Sequence, residues 1–178
     1  RFGASSIKLR VNLESNRDSF SYDYVDDSVK EISEPKGLPA DTDIVFYGTG
    51  LLLGRINKNG YLVDGKLGEL NYRYGKSADQ ALAKDFSEMT VNYLYFKSFW
   101  GDSTFAQRFK FGGTNTETLQ YWHYLGGLDG IRGFVDNRFA GRYFLQSNTE
   151  LRMPVLRKSS LVVQASVFTD VVATGEQT

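Results

Sequence analysis

The chain has 178 residues, balances 21 basic against 21 acidic residues and contains no cysteine. Charge balance removes the electrostatic case for a nucleic-acid partner, and the absence of cysteine excludes disulfides, thiolate metal sites and a cysteine nucleophile. No run reaches the ~18 consecutive apolar residues of a transmembrane helix, and the opening RFGASS is no signal peptide, so residue 1 reads as a point inside a longer protein.

Residues 5–13 set Ile7, Leu9, Val11 and Leu13 against Lys8, Arg10 and Asn12. This period of two marks a strand with one apolar face. Residues 20–25 are the next strand candidate, and the charge-rich stretch 26–42, with Pro35 and Pro39, reads as a long loop. Strands are expected over 43–56 and 61–74, around the polar turn NKNG at 57–60, although glycines and leucines blur their alternation. The KSADQALAK segment at 76–84 is the one stretch with a helical look. Residues 87–99 alternate again, Met89, Val91, Tyr93, Tyr95 and Phe99 against Glu88, Thr90 and Asn92. After the turn WGDS (100–103), residues 104–111 place Phe105, Phe109 and Phe111 opposite Arg108 and Lys110. Past GGTN (112–115) a strand is expected over 116–124. The last two run over 143–153 (Tyr143, Leu145, Leu151 and Met153 against Gln146, Asn148, Glu150 and Arg152) and 161–170 (Leu161, Val163, Ala165 and Val167 against Gln164, Ser166 and Asp170).

The chain is therefore all-β, with strands longer than the 5–6 residues typical of soluble sandwiches. A transmembrane β-barrel needs ~9–11 residues per crossing, apolar toward lipid and polar toward the lumen. Phe96, Phe99, Trp100, Tyr121, Trp122 and Tyr124 stand near strand ends, as interfacial aromatic girdles would. A soluble barrel or sandwich with one wet face is the other reading, and the mean hydropathy of −0.36 does not oppose it. Strand length and aromatic placement favour the membrane.

Catalytic chemistry finds little support. GTGLLLG (48–54) misses the dinucleotide fingerprint by one residue and sits in a strand, and YGKSAD (74–79) lacks the first glycine of a phosphate loop. His123 is the single histidine, so no histidine-based metal cluster can form, and it reads as an interfacial, aromatic-like residue. There is no G-x-S-x-G elbow. Inward carboxylates such as Glu88, Glu150 and Asp170 are ordinary in a water-filled lumen. Neither an enzyme nor a cofactor is expected of this chain.

The segment YLGGLDGIRGFVDNRFAG (124–141) is the most unusual. With NTELRMP (148–154) and VFTD (167–170) downstream, it resembles the BamA superfamily: outer-membrane assembly factors, two-partner-secretion transporters and bacterial surface-antigen barrels. The resemblance covers residues 116–170 by motif and residues 1–115 by general barrel character. It implies part of a sixteen-stranded transmembrane antiparallel barrel whose 125–141 loop folds back into the lumen. The motif positions are Gly126, Gly127, Ile131, Arg132, Gly133 and Phe134, with the inward carboxylates Glu150 and Asp170 on the next two strands.

Parity gives an independent check. If Leu145 and Leu151 face lipid, Glu150 faces the lumen, and Val163, Ala165 and Val167 send Asp170 the same way. Two carboxylates then lie beneath a loop whose central charge is Arg132, a planar fork of donors suited to them. Gly126, Gly127, Gly130 and Gly133 would let the loop reach them. About nine candidate strands, against the even numbers of closed bacterial barrels, imply further strands outside this chain.

By resemblance the protein inserts or translocates unfolded or secreted proteins at a Gram-negative outer membrane, or at the membrane of an organelle derived from such a bacterium. Membrane lipid, accessory assembly proteins or further copies of itself would be its partners. The alternatives are a barrel that anchors or exports a fused patatin-like lipase, and a passive porin-like barrel.

Overall fold

The computed structural model describes residues 6–18, 42–78, 84–99, 102–128, 130–158 and 161–176. The expected strand 20–25 and nearly all of loop 26–42 lie outside the described residues, as does most of the helical-looking segment. Lys76 and Ser77, given to that helix by the sequence reading, close a strand instead. The chain is all-β: β1 (Ser6–Asp18), β2 (Thr42–Asn59), β3 (Leu62–Ser77), β4 (Phe86–Phe99), β5 (Ser103–Thr114), β6 (His123–Leu125), β7 (Phe139–Gly141), β8 (Tyr143–Lys158) and β9 (Leu161–Gly175).

Seven of these form one antiparallel sheet in the order β1-β2-β3-β4-β5-β8-β9, while β6 and β7 pair separately. Each long strand pairs with its neighbour in the chain, and residues 115–142 are inserted between β5 and β8. By register, the strand ends Asn59 and Leu62, Phe99 and Ser103, and Lys158 and Leu161, which the short connections join, lie at one end of the sheet. Pro154, which cannot donate to a ladder, coincides with a register shift in the β8–β9 pair, between Pro154 and Leu156. A bulge is where a sheet tolerates proline.

Of the expected strand 116–124, only His123 and Tyr124 are in a ladder, as the start of the short β6 outside the main sheet. The rest has no sustained period of two, and local side-chain bonds bend it. Thr114 Oγ1 accepts from the Thr116 N–H and Thr116 Oγ1 from the Thr118 N–H, bonds that compete with a ladder. A single 3-10 turn follows at Leu119–Tyr121. The turn expected at 112–115 is also displaced, since Gly112–Thr114 still belong to β5.

Register divides the sheet into two unlike faces. On one, Ile7, Leu9, Val11 and Leu13 of β1 meet Leu53, Leu51, Thr49 and Tyr47 of β2. Leu70, Tyr72, Val91, Tyr93, Phe109, Phe111, Leu145 and Leu151 continue the apolar surface across β3, β4, β5 and β8. Val163, Val167 and Val171 carry it to β9, and most of these side chains are exposed. The opposite face is polar along most strands, with Arg73 bonded to Glu88 at 2.5 Å. Burial concentrates there, where the inserted segment packs: Ile44, Phe46 and Phe86 form a cluster against Tyr121. The Phe86 and Tyr121 rings stack at 4.5 Å.

Four aromatic assignments made from sequence change as a result, and Trp100 lies outside the described residues. Phe96 lies on the polar face of β4, opposite Gly65. Tyr121, Trp122 and Tyr124 belong to the inserted segment rather than to an outward girdle, Tyr121 in the inner cluster and Tyr124 with its hydroxyl donating to the Leu119 carbonyl at 2.8 Å. An aromatic count near strand ends cannot separate the two faces; only parity can.

Candidate functional site

The inserted segment carries the site. Its stem is the β6–β7 pair, with His123 opposite Gly141 and Leu125 opposite Phe139. Beyond Leu125 the chain turns through Gly126 at φ 147° and Gly127 at φ 72°, conformations that favour glycine. The Gly127 N–H donates to the Phe134 carbonyl at 3.1 Å, closing a tight loop. Ile131 is buried, and Phe134 meets the Phe139 ring edge-on at 5.0 Å. Gly130 lies so close to the Gly126 backbone that a side chain there would collide with it.

That compactness brings Arg132 onto the polar face of β8 and β9. Its Nε and Nη2 donate to Asp170 Oδ2 and Oδ1 at 2.8 and 2.7 Å, a bidentate fork, and Nη1 donates to Glu150 Oε2 at 2.8 Å. The Arg132 backbone N–H adds a bond to Asp170 Oδ2 at 3.0 Å. Phe168, directly opposite Glu150 in the ladder, lies under the guanidinium with 3.7 Å from its carbon to the ring centroid. Such stacking is a habit of arginine that lysine does not share. The Arg132 side chain is 22% exposed and that of Asp170 only 3%. Asp170 first, and Glu150 after it, hold the Arg132 guanidinium well above its ordinary pKa, so it stays charged.

The cluster extends beyond the three residues that parity brought together. Arg152 donates from Nε to Glu150 Oε1 at 2.7 Å, so two guanidinium groups balance two carboxylates. Gln146, fully buried, and Asn148 both donate to the Gly130 carbonyl, at 3.2 and 2.8 Å, and fix the loop two residues before Arg132. The sequence reading sets Gln146, Asn148 and Arg152 on the polar face without a role, and takes Phe168 only as part of the VFTD motif. Their shared parity with Glu150 and Asp170 was the available signal. Beside Arg132 lies an open cavity of about 230 Å3, lined among others by Phe96, Arg108, Leu128 and Arg152.

Of the motif positions, Gly126, Gly127 and Gly133 (φ 89°) supply backbone turns, Ile131 anchors, Arg132 binds the sheet and Phe134 packs within the loop. His123 lies in the inserted segment against Phe144, with 4.6 Å between ring centroids, rather than on the apolar face. Burial lowers its pKa, with Lys110 and Arg73 adding to the effect and Glu88 opposing it. On the apolar face, Gln107, Ser147 and Thr149 form an island that sequence reasoning missed. Gln107 Nε2 donates to Ser147 Oγ at 3.0 Å and Thr149 Oγ1 to Gln107 Oε1 at 2.7 Å.

Among the described residues, no group of three or more His, Asp or Glu is arranged to hold a metal ion. Chemically, the arrangement is a clamp between a loop and a sheet. No protein-family model, curated protein or solved structure matches this chain.

Proposed function

We propose that the seven-stranded sheet is part of a transmembrane β-barrel wall, of the kind the BamA superfamily builds, with residues 115–142 in its lumen. The observation that carries this reading is the pairing of a continuous exposed apolar face with a polar face on which a charged loop is clamped. On β3 the outward residues between Lys66 and Lys76 are Gly68, Leu70, Tyr72 and Tyr74, none of them charged. At ~3.3 Å per residue that stretch is about 33 Å long, and a usual barrel tilt of ~40° reduces it to a height of about 25 Å, the lipid-facing band of such barrels. The island of Gln107, Ser147 and Thr149 supports the same environment. Polar groups in hydrocarbon must satisfy one another, and these do.

In function, the barrel would insert or translocate proteins at an outer membrane, with the Arg132 loop as the element that occupies or opens the lumen. Unfolded or secreted polypeptides would be its substrates. This part of the reading rests on the resemblance of residues 116–170 and on the clamp. A passive pore would need the loop only as a constriction, and a lipase fusion would need catalytic residues outside this chain.

The test has two levels. The protein should require detergent for extraction and migrate on a gel in a heat-modifiable way; a monodisperse detergent-free monomer would contradict the membrane reading. In proteoliposomes, wild type should accelerate insertion or passage of an unfolded outer-membrane polypeptide, and Arg132→Ala should not. Small-solute conductance with no effect on polypeptides would favour the passive pore.

A further inference from the structure

We propose that Arg55, Lys66 and Lys97 form a binding site for the phosphate of an anionic phospholipid, at the short-connection end of the apolar face. The proposal rests on the membrane reading above. Arg55 and Lys66 are direct cross-strand partners in the β2–β3 ladder, Lys66 is opposite Tyr95 of β4, and Lys97 stands two residues beyond Tyr95 on the same face. Like charges placed directly opposite in an antiparallel pair have Cβ atoms ~4.5–5.5 Å apart and repel each other. All three side chains are exposed, and no carboxylate among the described residues pairs with any of them. Asp64, two residues from Lys66, accepts the Ser98 backbone N–H instead.

The backbone is shaped around this pair. Gly54, just before Arg55, has φ 105°, and Gly65, just before Lys66, has φ 124°. A Cβ on Gly54 would strike the Lys66 carbonyl, and one on Gly65 would strike the Arg55 carbonyl. Two glycines in conformations other residues avoid thus allow the close approach that holds the two cations side by side. The neighbouring strand β5 presents Phe105 at this level, opposite Lys97, so the charge is confined to β2–β4. Toward the middle of the face, Gly68 leaves a notch between Leu53 and Tyr93, where an acyl chain would continue from a headgroup held by the cations. Three clustered cations without an ion-pair partner, beside the single carboxylate of Asp64 and above an apolar notch, fit an anionic lipid better than scattered snorkelling side chains do.

The test uses the full chain reconstituted in vesicles of phosphatidylcholine, alone or mixed with phosphatidylglycerol. Brominated forms of each lipid quench tryptophan fluorescence and report their relative binding. Wild type should prefer phosphatidylglycerol by at least about fivefold, the effect of roughly one surface cation. The triple variant Arg55→Gln/Lys66→Gln/Lys97→Gln should bring that preference close to one. Lys66→Glu, which gives Arg55 an opposite-charge partner, should weaken it while leaving the fold at least as resistant to urea. Equal binding of the two lipids by inserted wild type would overturn the site, as would an unchanged preference in either variant. Displacement of phosphatidylglycerol by inorganic phosphate, against chloride at matched ionic strength, would assign the site to free phosphate and overturn the lipid. Failure of wild type to insert into either vesicle would instead remove the membrane reading on which the site rests.

Discussion

Truncating Arg132 to alanine should release the loop and leave the sheet standing. The side chain contributes three charge-assisted bonds, two to Asp170 and one to Glu150, plus its stacking on Phe168. Charge-assisted bonds contribute ~1.5–3 kcal/mol each, but these share carboxylates, and additivity fails within a network. Removing one partner of a buried ion pair costs ~3–5 kcal/mol. The lower end applies here, because Arg152 still neutralises Glu150, and because the Arg132 backbone bond and the Gly130 anchors survive truncation. About 3 kcal/mol corresponds to a shift of more than a hundredfold in the docked-to-free ratio, at ~1.4 kcal/mol per decade. Hydrogen exchange at the Gly127 and Phe134 amides, whose bonds close the loop, should accelerate by that order, while amides within β3 and β4 keep their protection. Arg132→Lys should recover only a minor part, since an ammonium cannot reproduce the fork or the stacking. Loop amides exchanging as slowly in Arg132→Ala as in wild type would refute the clamp.

Among the two carboxylates, Asp170→Asn should loosen the loop more than Glu150→Gln, because Asp170 accepts two side-chain bonds and one backbone bond from Arg132; equal exchange rates would contradict this. Gly126→Ala should disrupt the loop more than Gly133→Ala, as both positions have positive φ but only at Gly126 would the new methyl meet the Val135 carbonyl. At Gly133 the cost is the left-handed strain alone, ~1–2 kcal/mol, and urea titration of loop protection separates the two. Because burial lowers the pKa of His123 in the docked loop, the fold favours its neutral form. Loop protection should therefore be complete above the unfolded value of about 6.5 and decline as the pH falls below it, and His123→Phe should abolish that slope. Leu70→Arg, near the middle of the apolar face, should destabilise the bilayer-inserted protein by ~2–4 kcal/mol; a neutral effect would mean that water covers that face.

The strands were legible wherever one residue in two was apolar. Strands β1, β4, β5, β8 and β9 needed only parity, and the same parity sent Glu150 and Asp170 to the face that receives Arg132. Segment 116–124 failed for a physical reason. Its aromatic content reads as strand-forming, but its threonines bond locally and Tyr121 leaves the ladder for a pocket built by Phe46 and Phe86, over 30 residues away in the chain. Such a pocket exists only once the sheet has formed. The partners of Gly130 were hidden for the same reason, since a backbone carbonyl carries no sequence signal and Gln146 and Asn148 are common polar residues. The Arg55–Lys66 pair was equally invisible, because it arises from the β2–β3 register.

Which face of the sheet meets lipid is the central question, and the absence of cysteine from the sequence makes it directly measurable. Single cysteines placed in turn from Ser87 to Lys97 of β4, in protein inserted into vesicles, can be tested with a water-soluble maleimide and with a lipid-soluble one. The reactivity should show a period of two: positions 89, 91, 93 and 95 react with the lipid-soluble reagent, and positions 88, 90 and 92 with the water-soluble one. Equal access of the water-soluble reagent to both sets would contradict it, and so would protection of both sets.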